Sequence, residues 1–546
     1  MRTRQPGRPR STWLLALVSV TWLTAAGSVG AAAGSASAAA GSGSGSSSGS
    51  GSWTVYHHDA AGRGVVDSVA AVDTSKRAWT SPALDGEIYG EPLVWSGRIY
   101  AATENDTVYA LSRGTGAVLW SAHLGSPVPS GSLPCGDITP TVGITGTPVI
   151  DRSRGEIFVV ADELRNGKPA HLLVGLSTAS GKSMLSQNVD PAGADTAALL
   201  QRTGLALDAG QVVFGFGGNY GDCASYRGRV VAVKETGGPP TDFTVDGAAG
   251  ESQGAIWMGG AAPAIDSSGH VWVSVGNGSV HTAGHAFDDS DAVLELSPSL
   301  QLLQYFAPGN WASNNASDLD MSTVPMLLSD GQVLLTGKSR IVYLLNGARL
   351  GGIGGQQAVT GQLCSSDIDG GAAVVGTTAY LPCLSGIIAV RATESPAAIS
   401  LVWNSGTGGG PPIVAAGLIW TIGQNGTLYG LDPATGKVRQ QAAIGAVANH
   451  FPTPSVGNGL LLAPAADHVV AFTASGSAGS GTPTPTTAPS LGSATPGTRS
   501  APGSTSGAGP GGTLSPGAIA GTVAGAVVVI GAAGWLIWRR RTGGTR

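Results

Sequence analysis

The stretch Gly90 to Gly125 reads GEPLVWSGRIYAATENDTVYALSRGTGAVLWSAHLG, and its hydrophobicity has a period of two. Apolar residues alternate through Arg98 to Ala102, break at Glu104-Asn105-Asp106, and alternate again through Thr107 to Leu111. A second break at Gly114-Thr115-Gly116 precedes Val118 to Trp120. Alternation interrupted by turn residues is the pattern of a short antiparallel meander. One such sheet cannot bury its own faces, so it requires copies of itself.

The copies are present. Leu418 to Val438, LIWTIGQNGTLYGLDPATGKV, repeats the plan with Asn425-Gly426 at the first turn and Ala434-Thr435-Gly436 at the second. Looser copies begin near Gly146, Arg202, Gly259, Asp320, Gly370, Gly410 and Phe451, which with Gly90 makes eight. Units of roughly 35 to 55 residues that each supply four short strands predict an all-β, eight-bladed β-propeller over 53–474.

The ring has a predicted closure. Ala78-Trp79-Thr80, followed by Leu84-Asp85-Gly86, matches the end of the first unit, where Leu119-Trp120-Ser121 precedes Leu124-Gly125. The last unit, Phe451 to Phe472, runs into low-complexity sequence before its outer strand. The segment around Trp79 is therefore expected to complete the final blade and remove the two free edges an open ring would leave.

Composition agrees with tight-turned β-structure. Charged residues make up 12% of the chain against about 25% in ordinary domains, and the sequence holds 86 Gly and 32 Pro. The net charge of -5 without a dense Lys/Arg stripe excludes a nucleic-acid footprint.

The ends are read separately. Residues 1–38 predict a secretory signal peptide: Arg2, Arg4, Arg8 and Arg10 precede the apolar run Trp13 to Ala26, and Ala36-Ser37-Ala38 is a small-residue cleavage site. Residues 39–52 form a Gly/Ser linker and 475–514 a Pro/Ser/Thr-rich stalk, neither able to bury a core. Residues 515–538 predict a single transmembrane helix, closed by Trp535 and Trp538 and followed by a basic tail, 539–546, whose arginines place the C-terminus in the cytoplasm. Gly517, Gly521 and Gly525 recur at the four-residue spacing of helix pairs in membranes. The expected location is the cell membrane, single-pass, with the propeller extracellular.

Four cysteines in an exported chain predict disulfides, and four allow three pairings. Cys364 with Cys383, whose separation would bring them across one inter-blade junction, and Cys135 with Cys223, in loops leaving neighbouring blades, are the favoured pairs.

ALSRGTGAVLW (Ala110 to Trp120) and GLDPATGKV (Gly430 to Val438) resemble the AxDxxTGxxxW repeat of pyrroloquinoline quinone (PQQ) type propellers, the superfamily that includes quinoprotein alcohol dehydrogenases. The resemblance implies a funnel that binds PQQ and calcium. GGNYG (Gly217 to Gly221) is similar to the segment bearing an acidic calcium ligand, a place held here by Asn219. IWMGGAAPAIDSSGHVWVSVGNG (Ile256 to Gly278) implies Trp257 as the floor beneath the quinone and Asn277 as a metal ligand. SDLDMSTVP (Ser317 to Pro325) implies the catalytic carboxylate, Asp318 or Asp320, also a metal ligand. GKSR (Gly337 to Arg340) implies Lys338 beside the quinone oxygens. In that chemistry the ion and the lysine polarise the quinone while the carboxylate removes the alcohol proton.

Two functions follow. The first is a surface-displayed scaffold or binding module for a ligand or cell-surface protein, favoured because a neutral amide at Asn219 weakens a calcium site. The second is a PQQ- and calcium-dependent dehydrogenase oxidising an alcohol or sugar; a third, an envelope-assembly factor, would be known by its partners. Outside the resemblance, HTAGHAFDDSD (His281 to Asp291) reads as a long polar blade connection with metal ligation as the alternative, and His57-His58-Asp59 as a polar edge. No GxSxG, HExxH or P-loop motif occurs.

Overall fold

The computed structural model describes residues 51–245, 252–282, 284–448 and 451–475. The predicted signal peptide, stalk, transmembrane helix and basic tail lie outside them, as does the linker, apart from residues 51, 52 and 475. Among the described residues, no helix is long and apolar enough to cross a membrane.

The first repeat folds as its pattern dictates. Leu93–Trp95, Arg98–Thr103, Thr107–Ser112 and Val118–His123 form a four-stranded antiparallel blade. Seven further blades follow, with strands in chain order over 149–188, 206–244, 264–307, 326–362, 373–404, 413–443 and 455–475. Each begins within a few residues of a sequence-derived unit start. Inner strands are buried on both faces, as in Val271–Val275, whereas outer strands such as Val118–His123 alternate between partly and fully exposed. That gradient follows from stacking eight sheets face to face around an axis.

The eighth blade closes as expected. Its three C-terminal strands, Ser455–Gly457, Leu460–Ala465 and His468–Ser475, are completed by Ala71–Thr80, which pairs antiparallel with His468–Ser475. The repeat motif itself fastens blade to blade. Trp79 donates its indole N–H to the Arg113 carbonyl at 2.8 Å, Trp120 to Thr178 at 3.1 Å and Trp403 to Pro433 at 3.0 Å. Each tryptophan lies flat on the motif glycine of the next blade. A Cβ on Gly116, Gly181 or Gly436 would stand 2.4, 2.6 or 2.5 Å from the respective ring, and each glycine has φ near +70°. Trp79, contributed by the N-terminal strand, makes the last such contact, onto blade 1.

Cys135–Cys223 and Cys364–Cys383 are both disulfide-bonded.

Candidate functional site: an acidic funnel beside a filled axis

Turns on one face of the ring bring Trp257, Asn277, Asp318, Asp320 and Lys338 into a single cluster. Asp318 and Asp320 lie not in a strand but in a loop after the short helix Trp311–Asn315, with Asp318 held at φ 54°. Lys338 puts its ammonium 2.6 Å from Asp320 Oδ2 and 2.9 Å from Asp318 Oδ1. Asn277 donates its backbone N–H to Asp320 Oδ1 at 2.5 Å and its amide to Asp318 Oδ1 at 2.7 Å. Asn277 Oδ1 is left buried without a hydrogen bond. Lys338 also stands 5.5 Å above the Trp257 ring centroid, within cation–π range.

The electrostatics are those of crowded acids around one cation. Burial opposes the charge on Lys338, but Asp320 and then Asp318 outweigh it and hold the ammonium above its usual pKa. Burial pushes Asp291 well up, with Asp320 adding to the effect and the Met321 backbone easing it. Asp369 is driven up to about 7, again by burial first. Asp222 is raised by burial, eased by the Tyr226 hydroxyl at 2.7 Å, and raised further by Asp320 and Asp318.

Two of these acids, Asp222 and Asp369, escaped the sequence reading. Asn219 turns its amide to the Ala197 carbonyl at 2.9 Å, while Asp222, three residues on, is the group that feels the Asp318 and Asp320 charges. The insertion carrying Cys223 displaces the acid from the motif position, and the Cys135–Cys223 bridge fixes that loop. Asp291 sits in the loop read as a polar connection. Its His281 and His285 are exposed, and among the described residues no group with metal-ligand spacing includes either. His57, read as part of a polar edge, is fully buried, its ring stacked on Tyr56 with centroids 4.3 Å apart, and its backbone N–H donates to Glu91 Oε2 at 2.8 Å.

Residues just before the first strands of five blades line the axis: Tyr89, Thr147, Arg202, Gly260 and Phe451 among them. The Arg202 guanidinium stands 5.4 Å from the Tyr89 ring and 5.1 Å from Phe451, and Phe451 lies 6.0 Å from Trp257. The cavity between Tyr56, Tyr89, Thr147, Arg202 and Phe451 is about 10 Å³, room for about one water.

Comparison with known proteins agrees with this architecture. Residues 62–286 match a PQQ-repeat family described as outer membrane protein assembly factor BamB. The chain is an eight-bladed β-propeller whose residues 62–286 carry the PQQ-type repeat. Solved structures with the same fold include quinohemoprotein alcohol dehydrogenases of Comamonas testosteroni (14% identity, 78% of this chain and 81% of that one, TM-score 0.60) and Pseudomonas putida (12%, 78% and 81%, TM-score 0.59). A europium-containing methanol dehydrogenase follows (15%, 76% and 89%, TM-score 0.54). At these identities the likeness establishes the fold. No curated protein sequence matches significantly.

The cluster fits a resident quinone in its donors but not in its space. Asn277 Oδ1 and the Asp318 and Asp320 carboxylates are oxygen donors suited to a calcium ion. The Trp257 face that a quinone would stack on, however, carries Lys338 on the ring and Phe451 beside it. Among the described residues, Lys338 and Phe451 take the space beside the indole that a stacked planar cofactor would use.

Proposed function

We propose that this propeller is an extracytoplasmic binding or scaffold module, held at the cell membrane by the apolar segment 515–538, and that its funnel-face loops engage a ligand or cell-surface protein. The filled axis carries this reading: Arg202 stands between Tyr89 and Phe451, Phe451 lies against Trp257, and Lys338 covers the indole. The binding surface is then the loop face itself, where the disulfide-braced 217–228 loop rises beside the acidic cluster. Protease added to intact cells is expected to degrade the propeller while a short C-terminal fragment stays with the membrane. A propeller protected in intact cells would refute the topology.

The convergence of Trp257, Asn277, Asp318, Asp320 and Lys338, with Asn277 Oδ1 unpartnered, supports a second reading as a PQQ- and calcium-dependent dehydrogenase for an alcohol or sugar. In it Asn277, Asp320 and Asp318 hold the ion, Asp318 or Asp320 takes the substrate proton, and Lys338 sits at the quinone oxygens. It requires Lys338 and Phe451 to leave the Trp257 face.

A further inference from the structure

The face of the ring opposite the funnel carries a group of side chains that neither reading uses. The funnel is built from turns that precede first strands and from turns that join second strands to third. Blade 4 instead places Asp266 and His270 in its first hairpin, between Ala264–Ile265 and Val271–Val275, at the other end of the sheet. Glu295, on the third strand Ala292–Leu296, is the cross-strand partner of Trp272 on one side and of Gln304 on the other. One donor atom from each of Asp266, His270 and Glu295 lies within 4.8 Å of the other two, the spacing of ligands around a single ion.

The local sequence fixes each of the three. Asp266 Oδ1 accepts the backbone N–H groups of Ser268 at 2.7 Å and His270 at 3.0 Å, which folds the hairpin around the carboxylate. Trp272 donates its indole N–H to Asp266 Oδ2 at 3.0 Å, and Gln304 donates its amide to Glu295 Oε2 and to the Gly347 carbonyl at 2.9 Å. These donors orient the acids from behind, as the outer hydrogen bonds of metal sites do. In front, His270 Nδ1 stands 2.6 Å from Glu295 Oε1 and 3.5 Å from Asp266 Oδ2.

The hydrogen bond from the imidazole does not balance the charge. A third carboxylate, Asp208 at the end of the blade 3 strand Ala206–Asp208, abuts the same hairpin: a Cβ on Gly269 would stand 3.1 Å from its Oδ1. Among the described residues, no lysine or arginine pairs with Asp208, Asp266 or Glu295. An imidazolium offsets one of the three negative charges, whereas a divalent ion on a neutral imidazole offsets two. Glu295 is 8% exposed and His270 32%, so the back of the group is closed and its front is open to water.

We propose that a divalent cation of the zinc class binds at this hairpin through His270 Nδ1, Asp266 Oδ2 and Glu295 Oε1. One imidazole with two carboxylates suits that class over the alkaline-earth ions. The ion takes the place of the proton between His270 and Glu295, which is released, and the pair opens from 2.6 Å to roughly 3.3 Å across a tetrahedral edge. The fourth position, on the exposed side, is left for water or for a ligand from a partner.

The test uses the full-length protein without an affinity tag, stripped with chelator and titrated at neutral pH with Zn²⁺ and separately with Ca²⁺ by calorimetry, with metal content read by native mass spectrometry. One zinc ion per chain is expected, with affinity falling at least tenfold in His270→Gln and in Glu295→Gln. Affinity is expected to be unchanged when His281→Gln and His285→Gln are combined, which removes the exposed histidines of the 281–291 loop. If His270→Gln or Glu295→Gln fails to fold by circular dichroism, Asp266→Asn takes its place with the same expectation. Failure of the wild-type protein to retain zinc would overturn the proposal in favour of a plain His270–Glu295 hydrogen bond. Zinc binding that survives these substitutions, that is lost with His281 and His285, or that calcium matches in affinity would overturn it as well.

Discussion

Lys338 Nζ lies 2.6 Å from Asp320 Oδ2 while standing 5.5 Å over the Trp257 ring, so one cation both neutralises the buried acid and covers the indole. Asp320 keeps 9% of its side chain exposed and Asp318 72%. Lys338→Met therefore strands Asp320 and is expected to cost about 2 to 3 kcal/mol, the low side for a broken buried pair because Lys338 is partly exposed. Asp318→Asn is expected to cost less than about 1 kcal/mol. Urea unfolding of both variants measures the difference; equal costs would mean that Lys338 does not serve Asp320.

The ring closes through Trp79, which docks on Gly116 of blade 1 from the strand that completes blade 8. Trp79→Ala is expected to destabilise by about 3 kcal/mol, as for other large buried aromatics. Deleting residues 53–82 should lower the cooperative melting temperature sharply. An unchanged melt would show that closure contributes nothing.

Gly181 has φ 71° and no room for a Cβ beneath Trp120. Gly181→Ala combines positive-φ strain with displacement of the indole, and about 2 kcal/mol is expected. Thermal melting reads it directly, and a variant as stable as wild type would remove the docking argument.

Glu235 is raised to about 7 by burial and by sharing a hydrogen bond with Asp151, against the Arg154 guanidinium. A carboxyl whose folded pKa exceeds its unfolded value of 4.5 stabilises most when protonated. That contribution is present below about pH 4.5 and is lost as pH rises through about 7. Between pH 5 and 8 the wild-type melting temperature is expected to fall more than that of Glu235→Gln. Parallel profiles would dismiss the shift.

The blades were legible in the sequence because each announces itself twice, by alternation and by a turn with its own chemistry. The Trp79 closure was legible because Ala78-Trp79-Thr80 matches the end of the first unit while the last unit lacks its outer strand. The site was legible where motif residues fall in glycine-bounded turns, as with Asn277 and Lys338. It was hidden where burial inverts the usual reading of polar residues. Asp291 belongs to a run of acids whose composition is that of a solvated loop. Asp222 was hidden for another reason, since an insertion slid the acid three residues off the position the motif assigns.

The most direct test of the filled axis is a calorimetric titration of PQQ into the purified full-length protein, with and without calcium. A filled axis predicts no binding heat in either case at tens of micromolar protein. Tight, one-to-one, calcium-dependent binding that disappears in Asp320→Ala would contradict it and establish the quinone site.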